Sequence, residues 1–290
     1  MKPAAFSYHR PKSLTEALTL LAQYKLDAKV IAGGQSLVPM MNMRFAQPAH
    51  LIDLNVLPQL AGVRRSGDML EIGAMTRHHE LAANPDVRAL CPLLACAAAT
   101  IGHYAIRQRG TLGGSLAHAD PAAQLPLVAT ALDARIEVLG PDGIREITAA
   151  EFLVSVMTTA LEPEEIIQLV RFPCRRPFEG HAFELFSRRH GDFAIASCAV
   201  SVVLAADTFA HIRIGLGGIG DVPLVLDDLA ASYAGRQADM SAVAELSAHA
   251  AEAIEPQEHR EISIAYRRDL VKTLTQRALT RAIRCALQDS

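Results

Sequence analysis

In two segments of the sequence, a pair of consecutive glycines is followed by residues whose side chains can hydrogen-bond a ligand. The first pair lies in residues 32–37 (AGGQSL) and the second in residues 111–115 (TLGGS). Glycine has no Cβ, so its backbone can turn with positive φ and bring bare N–H groups close to a ligand. Such N–H groups bind phosphate oxygens without lysine side chains. The hydroxyls of Ser36, Thr111 and Ser115 would add further donors.

Two such loops in one chain could hold the two phosphates of a dinucleotide. Neither loop matches the G-x-G-x-x-G fingerprint of the classical dinucleotide fold, and neither is a P-loop ending in Lys-Ser or Lys-Thr. The local sequence leaves a second interpretation open, in which each glycine pair is only a tight turn at the end of a strand.

Helix and strand patterns alternate through the first half of the chain. Residues 13–16 (SLTE) form a capping box before a helix, and residues 28–32 (AKVIA) predict a strand that ends at the first glycine pair. Further strands are predicted at residues 51–54, 69–72, 135–139 and 144–147. Prolines at positions 85 and 92 interrupt a helical block between residues 76 and 105, which predicts several short helices.

The pattern changes at residues 172–180 (FPCRRPFEG), where we predict a domain boundary. Beyond it, the sequence predicts antiparallel strands at residues 183–187, 194–204 and 211–216, then helices at residues 241–254 and 264–287. The second domain is therefore expected to be α+β.

Charge, the length of the apolar stretches and the N-terminal residues each argue against a class of partner or location. The chain has 28 basic and 31 acidic residues, a formal net charge of −3, so a nucleic-acid partner is not predicted. Its longest apolar stretch, residues 193–206, is shorter than the roughly 20 residues needed to span a bilayer. The N-terminus has no apolar core of a signal peptide, which predicts a cytoplasmic protein.

The cysteines and histidines predict no metal in this chain. The five cysteines are scattered without a C-x-x-C pair, and His118 with Asp120 lacks the three or four ligands that a metal requires. Redox chemistry would then need an organic cofactor or a metal in a partner. We expect His78 and His79 to be surface or capping residues, and Met40, Met41 and Met43 to fill an irregular core.

Five longer segments carry a resemblance to a known family. They are residues 32–55 (AGGQSLVPMMNMRFAQPAHLIDLN), 72–85 (IGAMTRHHELAANP), 107–126 (RQRGTLGGSLAHADPAAQLP), 161–173 (LEPEEIIQLVRFP) and 188–196 (RRHGDFAIA). In these segments the chain resembles the FAD-binding medium subunit of bacterial molybdenum hydroxylases, the carbon monoxide dehydrogenase and xanthine dehydrogenase family. The resemblance extends over essentially all 290 residues.

The resemblance implies an α+β fold in two parts. The first is a two-lobed FAD-binding domain of the vanillyl-alcohol-oxidase (PCMH) type, with lobe 1 at residues 1–55 and lobe 2 at residues 56–174. The second, residues 175–290, is the α+β domain found at the C-terminus of carbon monoxide dehydrogenase flavoproteins.

The resemblance also implies a set of FAD-contacting residues. Both glycine loops would contact the cofactor chiefly at its pyrophosphate. Asp120 would bond a ribityl or ribose hydroxyl, Ile101 and Leu161 would pack on flat ring faces, and Phe193 would guard one face of the isoalloxazine. The full predicted set is Ala32, Gly33, Gly34, Gln35, Ser36, Leu37, Ile101, Gly102, Thr111, Gly113, Gly114, Ser115, Ala117, Asp120, Gln124, Leu161 and Phe193.

Three positions depart from the family pattern. Gln35 replaces a histidine found in some members, and either side chain can donate a hydrogen bond. Gln124 stands where relatives often carry an acidic residue, and Leu185 stands where a lysine is common. The family's contacts at these last two positions do not transfer directly.

The chain shows no evident base, nucleophile or metal set, so no catalytic residue is expected in it. The resemblance implies an electron-transfer subunit that carries FAD and acts with two partners. A large subunit would hold molybdopterin, as the cytosine dinucleotide, and a small subunit would hold two [2Fe–2S] clusters, in a dimer of heterotrimers. FAD would collect electrons from these clusters and pass them to a terminal acceptor.

Two other functions remain open at this point. One is a self-sufficient flavoenzyme on the same fold, such as an enolpyruvyl-sugar reductase, and the other is a non-redox nucleotide-binding scaffold. The sequence indicates neither the terminal acceptor nor the organic substrate. Similar assemblies use carbon monoxide, aldehydes, purines or N-heteroaromatics.

Overall fold

The N-terminal part of the chain forms a small parallel sheet. The computed structural model describes residues 2–256 and 262–288. The elements of this part are β1 (Ser7–His9), α1 (Leu14–Tyr24), β2 (Ala28–Ile31), α2 (Leu37–Asn42) and β3 (His50–Asp53). The strands pair in the order β1-β3-β2, all parallel. Parallel neighbours need crossover connections, and the connections here contain α1 and α2.

The two ends of the α1–β2 unit follow the predicted pattern. The Ser13 hydroxyl accepts a hydrogen bond from the Glu16 N–H at 3.1 Å and so caps α1. The Glu16 carboxylate accepts from the Lys12 N–H at 2.7 Å, one residue earlier than in a standard capping box. β2 ends at Ile31, directly before the first glycine motif. The predicted helix and strand are confirmed.

The central part of the chain combines a five-stranded sheet with short helices. Its elements are β4 (Val63–Ser66), β5 (Met69–Gly73), α3 (His78–Ala83), α4 (Pro85–Leu90), α5 (Pro92–Ala99), α6 (Tyr104–Arg107), α7 (Leu112–His118), α8 (Gln124–Ala131), β6 (Arg135–Gly140), β7 (Gly143–Thr148), α9 (Ala149–Phe152), β8 (Leu153–Ser155), β9 (Thr158–Thr159) and β10 (Ile166–Pro173). The sheet is antiparallel in the order β4-β5-β10-β6-β7.

The helices of the central part are short because prolines begin two of them. Pro85 starts α4 and Pro92 starts α5, where a missing N–H costs no hydrogen bond. Their apolar side chains join those of the sheet in one core, which includes the buried Leu70, Leu94 and Val170. The predicted succession of short helices is confirmed.

The C-terminal part contains β11 (Glu179–Phe186), β12 (Ala196–Ala205), β13 (Thr208–Gly217), β14 (Leu224–Val225), α10 (Asp227–Ala231), α11 (Met240–Glu252) and α12 (Ile264–Gln288). Its sheet is antiparallel in the order β11-β12-β13-β14. α12 lies directly on this sheet: a Cβ on Gly180 of β11 would come within 1.8 Å of the carbonyl oxygen of Ala282 in α12. Only glycine at position 180 allows this approach. The α+β prediction for this half is confirmed.

The central and C-terminal parts are packed together through α8 and β13. A Cβ on Gly215 would lie 2.8 Å from the Ala131 methyl group, so only glycine allows this approach. The Gly218 N–H also donates to the Pro121 carbonyl at 2.9 Å. Since α8 and Pro121 follow the second glycine motif, this packing fixes the C-terminal part relative to that motif.

Two findings concern the described residues as a whole. No helix among residues 2–256 and 262–288 is long and apolar enough to cross a membrane. All five cysteines have free thiols, and two of them, Cys91 and Cys198, are buried.

Candidate functional site

The fold packs the first glycine motif against Arg109 and Gly110, which directly precede the second motif. A Cβ on Gly33 would lie 2.2 Å from the Arg109 carbonyl oxygen and 2.8 Å from the Gly110 Cα. On the other side, a Cβ on Gly114 would lie 3.6 Å from the Ala32 methyl group. Residues 76 to 82 positions apart in the sequence thus form one surface, and glycine at position 33 is required for the contact.

The first motif presents a row of backbone donors. The α2 hydrogen-bond pattern starts with the Val38 N–H, which donates to the Gly34 carbonyl at 3.1 Å. Within the described part of the chain, the N–H groups of residues 34–37 donate to no protein acceptor. Gly34 has φ +70°, a conformation that favours glycine. This row can accept an anion, as the sequence predicts.

Two polar side chains of the first motif have different surroundings. Ser36 precedes α2, and its hydroxyl does not cap the helix, so it is free to bond a ligand. Gln35 donates from Nε2 to the Gly33 carbonyl at 3.0 Å, which closes its own turn. The structure therefore gives Gln35 a role in the shape of the loop.

The second motif is the first turn of a helix, which differs from the prediction. Thr111 caps α7, and its hydroxyl accepts from the Gly114 N–H at 3.1 Å. The Gly113 N–H donates to the Ala74 carbonyl at 2.8 Å. Neither Gly113 nor Gly114 has positive φ. The prediction of bare N–H groups is wrong for these two glycines, and so is the interpretation of this pair as a turn at a strand end.

The second motif still offers one partly exposed hydroxyl group. The Thr111 oxygen accepts from Gly114, and Thr111 is buried, with 1% of its surface exposed. Ser115 directly follows Gly114 in α7 and is partly exposed. A Cβ on Gly113 would lie 2.6 Å from the Ala74 methyl group, so this glycine lets α7 pack against the segment after β5.

His78 is a site residue that the sequence analysis placed wrongly. Its ring is buried and its Nε2 lies 2.9 Å from the Thr111 carbonyl, to which it donates as the neutral ring. Burial lowers the pKa of His78 to about 4. Its ring also fills the space where a Gly110 side chain would be, 2.5 Å from the Cβ position. The expected surface or capping role is corrected, because α3 packs its first turn against the second motif.

The other predicted roles near these motifs are mixed. His79 is partly buried and its Nδ1 lies 3.3 Å from the Arg107 carbonyl. Met41 is buried, as expected, and Met40 is partly buried. Met43 is 48% exposed, because it follows the last residue of α2 and lies outside the face that packs inward. The core prediction is wrong for Met43.

A second group of predicted residues surrounds the end of α7. Ala117 is exposed, and Asp120 accepts from the Ala122 N–H through Oδ1 at 2.8 Å. Gln124 is buried at the first residue of α8. Leu161 is partly buried after β9. The β8–β9 hairpin reaches this group, since the Met157 N–H donates to the Ala119 carbonyl at 3.0 Å.

A third group joins the central and C-terminal parts of the chain. Arg107 donates from Nη1 to the carbonyls of Ile101 (2.8 Å) and Gly102 (3.0 Å) and so fixes this loop. A Cβ on Gly191 would lie 2.5 Å from the His103 ring. The segment that carries Phe193 therefore lies beside the loop with Ile101, and the Phe193 ring is 61% exposed.

The two positions that depart from the family pattern lie in packed surroundings. Gln124 is buried. Leu185 lies in β11 opposite Ser197 and packs partly against the central core. Among the residues that the structure describes, no three His, Cys, Asp or Glu side chains form a metal-binding group.

Fold and site together define a nucleotide-cofactor-binding protein with a mixed α+β architecture and two joined glycine motifs. Comparison with known proteins then shows its family. Residues 4–175 match the family described as "FAD binding domain in molybdopterin dehydrogenase", and residues 181–282 match the "CO dehydrogenase flavoprotein C-terminal domain". The chain belongs to the FAD-binding medium subunits of the molybdenum hydroxylases.

Relatives match the chain from end to end. The carbon monoxide dehydrogenase medium chain of Hydrogenophaga pseudoflava is 40% identical over 99% of this chain and 100% of its own length. Subunit alpha of the 6-hydroxypseudooxynicotine dehydrogenase complex of Paenarthrobacter nicotinovorans is 40% identical over 98% of this chain and 96% of its own length. The crystal structure of quinoline 2-oxidoreductase from Pseudomonas putida 86 superimposes with a TM-score of 0.94 at 34% identity, covering 99% of this chain and 100% of that chain.

These matches confirm the predicted fold class, an FAD-binding domain followed by a carbon monoxide dehydrogenase flavoprotein C-terminal domain. They also confirm that the protein is an FAD-binding oxidoreductase subunit. Three residues at this site were not predicted from the sequence. Asn55 donates to the Ala32 carbonyl at 2.8 Å and Arg77 donates to the Arg109 carbonyl. His78 is the third. All three lie inside the segments that carry the resemblance, but nothing in their local pattern indicates a contact with either glycine motif.

Proposed function

We propose that FAD binds across the two joined glycine motifs, and that this chain transfers electrons within a molybdenum hydroxylase. The observation that carries the proposal is the row of unused N–H groups at residues 34–37. It lies in the motif that packs against the residues leading into α7. A pyrophosphate would find several donors on one rigid surface there.

The residues at the surface would divide the work of holding FAD. The N–H groups of residues 34–37 and the Ser36 hydroxyl would bond the pyrophosphate, with Ser115 adding a donor from α7. Asp120 would accept from a ribityl or ribose hydroxyl. Ile101, Leu161 and Phe193 would contact the flavin, and the remaining members of the predicted set would complete the pocket wall. Bound FAD supplies the ability to take up and release electrons singly or in pairs.

The partners follow from what similar proteins are called. Relatives are named as the medium chain of carbon monoxide dehydrogenase and as subunit beta of caffeine dehydrogenase. We infer a large subunit with molybdopterin cytosine dinucleotide and a small subunit with two [2Fe–2S] clusters, in a cytoplasmic dimer of heterotrimers. We also infer the domain limits 1–55, 56–174 and 175–290.

The organic substrate is a property of the partners under this proposal. The relatives are named for carbon monoxide, 6-hydroxypseudooxynicotine and caffeine, yet each is at least 36% identical to this chain over nearly its full length. The sequence of this subunit stays similar among enzymes named for different substrates. Under this proposal it carries out a step that these enzymes share, the transfer of electrons, and the partners select the substrate.

A single glycine substitution tests the site. Gly33→Ala places a methyl group 2.2 Å from the Arg109 carbonyl oxygen, so the two motifs must separate. We expect the FAD affinity to fall at least a hundredfold, because the donors no longer face one pyrophosphate. The matched control is Gly220→Ala, since a Cβ at Gly220 meets only the Val222 carbonyl oxygen at 3.9 Å. Titration of the apoprotein with FAD, followed by flavin fluorescence, measures both.

The same preparations separate the alternatives. Acid or heat precipitation of the wild-type protein should release FAD into the supernatant. FMN in its place, or preferential binding of ATP or ADP, would contradict the proposed site and favour a different nucleotide-binding protein. Steady oxidation of an aldehyde, purine or N-heteroaromatic by the isolated chain would instead favour a self-sufficient flavoenzyme.

A further inference from the structure

The Arg77 side chain links the two glycine motifs indirectly, through Asn55 and through the Arg109 carbonyl. Its Nη2 donates to the Asn55 Oδ1 at 2.6 Å, and Asn55 in turn donates from Nδ2 to the Ala32 carbonyl at 2.8 Å. Its Nη1 donates to the Arg109 carbonyl oxygen. That same oxygen is the atom against which Gly33 packs. One guanidinium group therefore connects the residue before the first glycine pair with the residues that lead into α7.

The main chain of Arg77 is held independently of this side chain. Its N–H donates to the Glu80 carboxylate at 2.7 Å. Arg77 also forms an isolated antiparallel bridge with Thr111, flanked by hydrogen bonds of 3.0 Å from the His78 N–H to Gly110 and from the Leu112 N–H to Thr76. Removing the guanidinium should leave this segment in place, so the effect of the side chain on the two motifs can be measured separately.

The Arg77 guanidinium lies close to a second cation, the side chain of Arg109. Arg77 is partly buried, and burial together with the neighbouring Arg109 lowers its pKa. Asp53 and Glu80 are the acidic groups that act on it in the opposite direction.

We propose that Arg77 is a positioning residue for FAD, which sets the distance between the N–H row of residues 34–37 and the start of α7. It acts through Asn55 and through the Arg109 carbonyl, without touching the cofactor. Only a planar group with separate donors can hold both partners at once, which distinguishes arginine from lysine here. This inference rests on the proposed FAD site.

The test compares Arg77→Met and Arg77→Lys in the full-length apoprotein. We expect Arg77→Met to raise the Kd for FAD about tenfold or more, because two hydrogen bonds from a charged donor are lost. Arg77→Lys can keep one of these bonds, so its Kd should rise by a smaller factor of at least three. The control is Arg65→Met. In the wild-type protein, Arg65 lies in an exposed hairpin, where its Nε donates to the Gly67 carbonyl at 3.0 Å. The Kd of this control should stay within twofold of wild type.

A double-mutant cycle separates positioning from general destabilisation. Asn55→Ala breaks the same chain of contacts. The fold increase in the Kd for FAD of the double variant Arg77→Met/Asn55→Ala should therefore be far below the product of the two single-variant increases. Far-UV circular dichroism and the thermal midpoint of each apoprotein verify folding, and Arg77→Lys carries the test if Arg77→Met does not fold. Multiplicative effects, or a change below threefold in the arginine variants, would overturn the proposal. Failure of the wild-type protein to bind FAD would contradict the proposed function instead.

Discussion

At the scale of single residues, the site depends on groups that are buried or crowded. Gly33 lies against a carbonyl oxygen, and His78 lies under the residues that lead into α7. The Nδ1 atom of His78 is buried and has no hydrogen-bond partner among residues 2–256 and 262–288. A neutral ring tolerates this, because its bare Nδ1 carries a lone pair, whereas a protonated ring would bury an unpaired N–H and a charge.

The burial of His78 predicts a pH dependence of stability. Its pKa is about 4 in the folded protein against an ordinary value of 6.5, so the unfolded chain binds the additional proton between these values. The stability from the neutral ring is fully present above pH 6.5 and is lost as the pH falls toward 4. The shift corresponds to roughly 3 kcal/mol of unfolding free energy across this window.

Urea unfolding of the apoprotein at several pH values measures this dependence. His78→Gln should show a flatter curve of unfolding free energy between pH 6.5 and 4, because the titrating ring is gone. The exposed substitution Gln23→Ala, which removes no titratable group, should keep the wild-type curve. Identical pH curves for the wild type and His78→Gln would contradict the assignment.

At the scale of elements, the central sheet carries a ladder of charges across its five strands. Arg171 of β10 donates to Glu137 of β6 at 2.6 Å, to Glu146 of β7 at 2.8 Å and to Glu71 of β5 at 3.1 Å. Arg64 of β4 extends the ladder to Glu71. Hydrogen bonding to Arg64 and Arg171 lowers the pKa of Glu71. The ladder fixes the registry of the strands on the face opposite the apolar core.

Removing the central cation should destabilise the sheet. Arg171→Met leaves the buried carboxylates of Glu71 and Glu137 without their shared partner. Because the two carboxylates are buried, we expect a loss of roughly 2–4 kcal/mol of unfolding free energy. The loss is not larger because Arg171 keeps some contact with solvent. Chemical denaturation at pH 7 measures it. Arg135→Met, which removes only a partly exposed pair with Glu146 at 3.1 Å, should cost less than about 1 kcal/mol. Equal losses in both variants would refute the central role of Arg171.

At the scale of the whole molecule, the chain combines an FAD-binding domain with a flavoprotein C-terminal domain in one packed unit. The C-terminal part touches α8, which follows the second glycine motif, and its residues 190 and 191 reach the loop after α5. The central part and the C-terminal part thus both reach the region proposed to hold the flavin. A subunit of this kind is suited to passing electrons across subunit boundaries.

The electron-transfer role predicts the behaviour of a complex that lacks FAD. When the partners are assembled with Gly33→Ala, substrate should still reduce the iron–sulfur clusters in a single turnover. Steady turnover with the terminal acceptor should fall at least a hundredfold, since electrons can no longer leave through this chain. Stopped-flow spectroscopy at the iron–sulfur and flavin bands distinguishes the two steps. The complex with Gly220→Ala should behave as wild type, and undiminished steady turnover with Gly33→Ala would refute the role.

The sequence alone determined the local elements, the fold class and the family. Capping residues, prolines and alternating apolar patterns act over a few neighbours, so α1, β2 and the short helices from α3 onward could be predicted from them. The first glycine motif was also predictable, because a strand followed by two glycines and a serine specifies a turn with exposed donors.

Only the tertiary structure decided how the site is assembled. The burial of His78, the helical state of Gly113 and Gly114, and the bridge from Arg77 to both motifs depend on residues that lie far apart in the chain. These contacts form because α3 packs its first turn against the segment before α7, and because β2 brings residues 32–34 to the same place. Local propensity contains no information about such approaches, since their free energy comes from packing between elements that the sequence pattern does not pair.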